Sequence, residues 1–558
     1  MTPVIKFDVD NTFKSYINPR RMIPIKMTEL YKVSKSNGLI ITDANYRTEV
    51  IQLNETGSYL WNLADGKHNI CEMAELLWKY NQRQISKQKI LSDILHLFKT
   101  LENKNVLKLI AGKSNYFLQR KCADILLLTV PDPIHYLPEA SGVAENSSPP
   151  LGLLYIASCL LEAGISVAVY DLNICSADLV DLEYIINTTN PKIVGISILT
   201  AVSEISKILC REIKKISSEI IIVAGGPHSS ALPDHLLADN SVDVVVRGEG
   251  ELTFVELAKA ILAKNRFESI RGISFSQGNK IIHNPDRELI DPLDGVPLPA
   301  RHLIDINDYI QRAPIITSRG CKHNCIFCSS VLLRGHRYRT RSLKNVLKEI
   351  NELTKPGISE IEVQDDDLSG DPVCLMNLAN AFKEKAIYWA CQGTISTFKE
   401  HPELVGTLSA SGCKQIFFGV ESGNDDILFK VKRINKKDVL NVISSVISSG
   451  MSAVASFIIG WPEDTIQTIE ETLQLALTLR RMHVHTPFSI LTPFPGTPIY
   501  SNPNKFGIKI ENYDFTNYTY SIANISTKHL TRNQLTKAYV KVIKSLCDTF
   551  QKEGTVIK

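Results

Sequence analysis

The sequence predicts an α/β protein: a doubly wound parallel sheet, then a partial (β/α)6 barrel, with a small α+β winged-helix-like domain in front. Three observations lead there. Between Asp124 and Gly248, five apolar runs (DILLLTV, ISVAVYD, KIVGISI, EIIIVAGG and VDVVVRG) alternate with helix-length segments. These runs are continuous rather than alternating, as in strands buried on both faces, and hence in parallel strands between two helical layers. From Pro314 onward six further strand–helix units follow, too few for a closed eightfold barrel. Length agrees, because 558 residues hold three or four domains at roughly 150 residues each.

The first domain is placed at 22–112. LYKV, LIIT and TEVIQL, between Leu30 and Leu53, read as three short strands, and three helices follow. Asn54 caps the first, which carries Tyr59, Leu60 and Leu63 and stops near Gly66. Asn69 with Glu72 forms a capping box for the second, running to about Tyr80. Ser86 opens the third, whose Ile90, Leu91, Ile94, Leu95, Phe98 and Leu101 keep helical spacing. Its Lys87, Lys89, Lys99 and Lys104 are interrupted by Asp93 and Glu102, which fits a solvated face better than DNA readout.

The doubly wound domain takes 120–280, and the polar, proline-containing stretch His283–Arg301 is a linker. The barrel takes 305–500. Its strands start at Pro314, Ile358, Ile387, Cys413, Met451 and Val484. Residues 501–558, with Tyr513, Phe515, Tyr518 and Tyr520, are expected to form a helical cap.

Composition narrows the function classes. With 44% hydrophobic and 22% charged residues, 29 glycines and 25 prolines, the chain is neither low-complexity nor collagen-like. A net charge of +3 predicts no broad polyanion-binding surface. No run of about 18 apolar residues occurs, and MTPVIKFDVDNTFKSY lacks a signal peptide's apolar core, so a cytoplasmic location is expected. Twelve cysteines are too sparse for a disulfide scaffold. Eight of them (Cys71, Cys122, Cys159, Cys175, Cys210, Cys374, Cys413 and Cys547) read as packing residues, while Cys391 stays open because its strand ends at the barrel mouth.

The other three, Cys321, Cys325 and Cys328, stand in SRGCKHNCIFCSS directly after the first barrel strand. Barrel active sites lie at strand C-termini, so the position fits chemistry. Three thiolates on one loop can hold three irons of a 4Fe–4S cube, leaving the fourth iron open. Zinc with a distant histidine is the alternative, but it usually shows paired C-x2-C knuckles. Gly320 lets the backbone bend sharply before the cluster.

This spacing, with Phe327 before the last cysteine, resembles the radical S-adenosylmethionine (SAM) superfamily. VQDDDLSG at 363–370, GVESG at 419–423, IIGWPEDT at 458–465 and TPFPGTPIY at 492–500 look like its later barrel segments, in family order. The resemblance implies that the open iron chelates SAM, whose cleavage gives a 5′-deoxyadenosyl radical. It also implies SAM contacts at Phe327, Asp365, Asp366, Glu421, Ser422, Gly460 and Pro462; Asp367 completes the acidic triplet.

The doubly wound domain has no G-x-G-x-x-G after its first strand, so a nicotinamide or flavin fingerprint is absent. Its glycine loops follow the fourth and fifth strands instead: AGGPHSS at 224–230 and VRGEGE at 246–251. With PPLGLLYIASCL at 149–160, it resembles the cobalamin-binding domain of one radical SAM subfamily. This implies cobalamin contacts at Gly152, Thr200, Ser203, Gly225, Gly226, His228, Gly248, Glu249 and Gly250, although His228 reads equally well as a plain loop residue. The first loop, VPDPIHYLPEASG, departs from D-x-H-x-x-G: Asp132 and His135 stand one residue too far apart, so no histidine below cobalt is expected.

LNETGSYLWNLADGKHNICEMAELL at 53–77 resembles the PqqD-like family. That implies capture of a precursor peptide's leader on residues 1–115 as an added strand. The combined expectation is a cobalamin-dependent radical SAM enzyme, fed electrons by a flavodoxin-like reductant, that C-methylates a ribosomally made peptide. Three rivals are a non-methylating cyclase, ring-contracting enzyme or epimerase with the same cofactors, a small-molecule methyltransferase with a vestigial first domain, and a cobalamin-dependent DNA-binding regulator. The regulator requires a histidine cobalt ligand and a basic recognition helix, and the sequence supplies neither.

Overall fold

The structure, a computed structural model, describes residues 122–130, 148–173, 179–309, 311, 313–354 and 358–552, with the backbone of five short strands before residue 112. The chain forms two units, one of Met1–Cys122 with Ile174–Thr188, the other of Ala123–Asn173 with Thr189–Lys558.

In the first unit, β1 (Met22–Lys26) pairs antiparallel with β5 (Leu107–Ala111). The three expected strands are present as β2 (Tyr31–Lys35), β3 (Gly38–Thr42) and β4 (Glu49–Leu53), an antiparallel sheet in chain order. The three helices expected between Asn54 and Lys104 lie outside the described residues, as do Cys71, Cys175, Asp132 and His135.

The second unit begins with a seven-stranded sheet. Its five predicted strands are β6 (Ile125–Leu128), β7 (Val167–Tyr170), β8 (Ile193–Ser197), β9 (Ile221–Gly225) and β10 (Val244–Val246). They run parallel in the spatial order β7-β6-β8-β9-β10. Ile125 to Leu128 and Val244 to Val246 are all buried, as continuous apolar runs require. The sheet is not wholly parallel, however. β11 (Ile273–Gln277) pairs antiparallel with β10 and β12 (Lys280–His283) with β11, turning at Gly278, so the domain extends past the expected boundary of 280.

The barrel has the six parallel strands predicted, in chain order: β13 (Pro314–Ile315), β16 (Glu360–Val363), β17 (Tyr388–Gly393), β18 (Cys413–Glu421), β19 (Ser452–Ile459) and β20 (Phe488–Ile490). A short antiparallel ladder, β14 (Ser318–Arg319) with β15 (Arg339–Thr340), brackets the cysteine loop. Trp389, Phe418, Phe457 and Trp461 fill the core. Cys391 is buried in this core, which settles it as a packing residue; Cys122, Cys374 and Cys547 are exposed rather than packed. The expected helical cap is only partly helical: the hairpin of β21 (Ile508–Ile510) and β22 (Ile525–Thr527) precedes a helix at Arg532–Lys552. Among the described residues, no helix is long and apolar enough to cross a membrane.

Candidate active site

The cysteine loop leaves β14 through Gly320, at φ +87°, where a Cβ would collide with the Arg337 carbonyl. Only glycine fits both the left-handed backbone and the close approach. The Cys328 N–H donates to the Cys325 carbonyl at 3.2 Å, which folds the three cysteines together. All three thiols are free and partly buried. Burial pushes the Cys321 thiol up to about 11 and raises Cys325 as well, against the pull of Lys432. Such thiols shed their protons when they bind a metal.

The acidic triplet faces three directions, and this corrects the expected roles. Asp365 is buried and turned to its own scaffold: it accepts from the Thr317 N–H at 2.6 Å, the Thr317 hydroxyl at 2.5 Å and the Ser318 hydroxyl at 2.7 Å. Its carboxylate ties the segment after β16 to the strand feeding the cysteine loop, and all three of these bonds run to that scaffold. Asp366 accepts from the Gly320 N–H at 3.0 Å and pairs with Arg334 at 3.2 Å, which fixes the loop's first bend. Asp367 is the member that looks at the cluster. It accepts from Ser369 at 2.7 Å, and its other oxygen, Oδ2, is buried, makes no hydrogen bond and pairs only with the His323 ring, at 3.4 Å. Cys321, His323 and Asp367 offer ligand atoms within 4.8 Å of one another.

The remaining predicted SAM contacts gather on the other side of the cysteine loop. Glu421 ends β18 at φ +75°, unusual for a residue with a Cβ, and pairs with Lys432 at 3.0 Å. Lys432 in turn lies 5.8 Å from the Phe327 ring centre. Burial works against this ammonium, yet Glu421 and Cys325 beside it raise its pKa above the ordinary lysine value. The Phe327 ring stands edge-on to Trp461 at 5.3 Å. The Ser422 hydroxyl caps the turn by accepting from the Asn424 N–H at 3.2 Å. Asp464 accepts from the Gly460 and Trp461 N–H groups at 2.8 and 3.0 Å. Pro462 joins Cys325 and Trp461 in the wall of a cavity of about 280 Å³.

A larger cavity, about 370 Å³, opens at the carboxyl edge of the seven-stranded sheet. Six predicted cobalamin contacts line it: Gly152, Gly225, Gly226, Gly248, Glu249 and Gly250. Ile316, Arg319, Arg334 and Gln364 reach it from the barrel. Its floor descends to Leu127, Gly195 and Val223 on the strands, where the Leu127 and Phe254 side chains fill the space above Gly195. Gly226, at φ +94° and tight against the Ile198 backbone, again admits no side chain.

Thr200, Ser203 and His228 do not line the cavity, contrary to expectation. The Ser203 hydroxyl donates to the Thr200 carbonyl at 2.9 Å, and both residues are buried. His228 is fully buried on the far side of its loop, 2.9 Å from His235 and edge-on to Phe515 at 5.0 Å. Burial, then His235 and Lys207, lower its pKa to about 3 and keep it neutral.

The residues fit the cofactors implied. Three free thiols on one loop suit a cluster with an open iron. The buried Asp367 oxygen beside Cys321, held only by the His323 ring, suits a cationic group there, and the loop glycines on the cavity wall suit a ligand pressed against backbone. Sequence reasoning missed Arg319, Arg339, Glu251 and Lys432. Arg339 and Lys432 stand outside the quoted motifs, and Arg319 and Glu251 stand inside two of them without a role assigned; only the fold brings each partner near.

A B12 binding domain matches residues 140–258 and the Radical SAM superfamily matches residues 315–476. The chain is 31% identical over 438 residues to an uncharacterized methyltransferase, PH0819, of Pyrococcus horikoshii, covering 75% of this chain and 93% of that one. It is 28% identical over 368 residues to the cytidylyl-2-hydroxyethylphosphonate methyltransferase of Streptomyces wedmorensis, covering 56% and 69%. Among solved structures, the fold resembles the radical SAM methyltransferase TsrM of Kitasatospora setae with cobalamin and a [4Fe-4S] cluster bound. That likeness has a TM-score of 0.59 at 19% identity and covers 75% of this chain and 85% of that one.

Proposed function

The chain belongs to the cobalamin-dependent radical SAM methyltransferases, and from that premise we propose that it methylates an unactivated carbon of a ribosomally synthesised peptide. When bound, the cluster with SAM supplies a carbon-centred radical and cobalamin supplies the methyl group. The observation that carries the methylation reading is the large cavity, whose wall is shared by the glycine loops after β9 and β10 and by Arg319, two residues before Cys321. A cobalamin held there would face the loop that bears Cys321, and both transfers need near-contact geometry.

The chain's own groups have separate tasks in this reading. Cys321, Cys325 and Cys328 hold the cluster. Asp367 offers Oδ2, otherwise paired only with His323, to the SAM ammonium, and Lys432, with Glu421, presents a fixed charge on the Phe327 side. Gly225, Gly226, Gly248 and Gly250 let the corrin and its tail approach the backbone. Mostly apolar walls exclude water from the reacting carbon.

The peptide part rests on the PqqD-like residues 53–77 and on the antiparallel sheet β2–β4, whose edge offers a strand-addition site for a leader. A small-molecule substrate is the second reading, favoured by the cytidylyl-2-hydroxyethylphosphonate in the name of the Streptomyces relative. Reconstituted full-length enzyme with its precursor peptide should form S-adenosylhomocysteine and 5′-deoxyadenosine in equal amounts. 5′-Deoxyadenosine alone would refute methylation. Equal turnover of leaderless and full-length peptide would refute leader capture and leave the small-molecule reading.

A further inference from the structure

The two cofactor-bearing parts of the second unit are joined at the cavity by buried charges. Glu249, between Gly248 and Gly250, takes both terminal nitrogens of Arg339, at 2.9 and 3.0 Å, and one of Arg319 at 3.2 Å. Arg319 gives its second nitrogen to Glu251 at 2.5 Å and lies 5.4 Å over the Tyr155 ring. The linker is drawn into the same knot. The Ile290 N–H donates to Glu249 at 2.7 Å, and Arg339 donates to the Ile290 carbonyl at 2.6 Å. Arg319 and Arg339 are direct partners in the ladder of β14 and β15. The set is charge-balanced, two carboxylates against two guanidiniums, and no side chain in it is more than 8% exposed.

Buried ion pairs add little net stability, since desolvation offsets most of their attraction. Their distinctive property is direction. A two-pronged guanidinium–carboxylate contact fixes both separation and relative rotation of the backbones that bear it. Here one backbone is the glycine loop at the sheet's carboxyl edge. The other is the ladder from which Gly320 and Cys321 emerge.

We propose that Glu249, Arg319 and Arg339 form a clamp of positioning residues that sets the spacing and angle between cobalamin and the iron–sulfur cluster. This rests on the reading that cobalamin occupies the large cavity. Substrate carbon must be reached from both sides, so a clamp on the two loops sets the gap in which it sits.

The test uses the full chain loaded with both cofactors and reduced to its two paramagnetic forms, Co(II) and the one-electron-reduced cluster. Pulsed electron paramagnetic resonance then measures their spin–spin distance. Wild-type protein is expected to give one narrow distribution. Glu249→Gln removes the charge that both arginines share and should broaden and shift it in the molecules that carry both centres, the only ones that give a spin–spin distance. Arg339→Lys keeps one contact but loses the fork and should give an intermediate width; it also serves if Glu249→Gln does not fold. Wild-type distributions in the variants, with both cofactors present, would overturn the clamp alone. Wild-type protein that binds both cofactors but shows no coupling would overturn the cavity assignment and the clamp with it.

Discussion

Asp365→Asn separates a structural carboxylate from a SAM contact. In the native protein three donors converge on Asp365: the Thr317 N–H and the hydroxyls of Thr317 and Ser318. An asparagine side chain keeps one acceptor oxygen and replaces the other with an NH2 group. With the oxygen kept on the Thr317 N–H, the NH2 group faces the two hydroxyls; they can rotate to accept from it, but their own buried protons then lose the acceptor they had. A buried donor left unsatisfied costs about 1–3 kcal/mol, and losing charge assistance in the bonds that remain adds about 1 kcal/mol. The total of about 2–4 kcal/mol corresponds to a fall in melting temperature of roughly 2–5 °C for the unit of Ala123–Asn173 with Thr189–Lys558. Thermal unfolding of the cofactor-free protein measures it, followed by SAM binding to the reconstituted protein by equilibrium dialysis. Burial also raises the Asp365 pKa, so the native state takes up its proton more readily than the unfolded chain. Its contribution to stability therefore declines as pH rises above the ordinary value of 3.8, and the variant should lose that part of the pH profile. An unchanged melting temperature together with abolished SAM binding would refute the reasoning and return Asp365 to the SAM site.

Gly320→Ala should leave the protein folded but prevent cluster assembly, because the loop must shift away from the Arg337 carbonyl; full iron content after reconstitution would contradict this. Replacing Cys321, Cys325 or Cys328 singly with serine should remove most bound iron and leave cobalamin binding in place, as read by metal analysis and by the corrin absorbance. Burial lifts Asp464 from 3.8 to about 6, against hydrogen bonds from Thr468, Gly460 and Trp461. The native state thus holds the proton more tightly, and stability should fall by about 3 kcal/mol as pH climbs through that window. Asp464→Asn should flatten the profile there, and denaturant titrations at a series of pH values would detect an unchanged slope.

What could be read from the sequence depended on how local its cause was. Cys321, Cys325 and Cys328 lie on one loop, so their spacing carried their chemistry directly. The strands of both sheets were legible because burial on two faces forces continuous Val, Ile and Leu. The Asp triplet was not resolved, since β16 ends at Val363 and the chain then leaves strand geometry, so consecutive side chains no longer alternate between two faces. Asp365 turns to its own scaffold and Asp367 to the cluster. His228 looked like a loop residue of the cavity, yet it is the buried partner of His235 and Phe515, which follow it by 7 and 287 residues. Glu249 was singled out beside its glycines, but its partners Arg319 and Arg339 lie 70 and 90 residues downstream, beyond any periodicity.

The unexpected hairpin β11–β12 bears on chain routing. In a doubly wound domain a helix returns the chain to the amino edge after each parallel strand, far from the loops that meet a ligand. Here the chain climbs after the helix Gly250–Leu262 to Gly272, whose carbonyl accepts from the Arg247 N–H at 2.8 Å, runs back along β11 and rises again along β12. That change of parity delivers it to the carboxyl edge. The tether to the barrel thus starts beside the ligand-facing loops, and Ile290, only seven residues past His283, can enter the knot at Glu249. An even number of added antiparallel strands leaves the outgoing chain on the side where the next domain is built, and a single added strand would have launched it from the opposite edge.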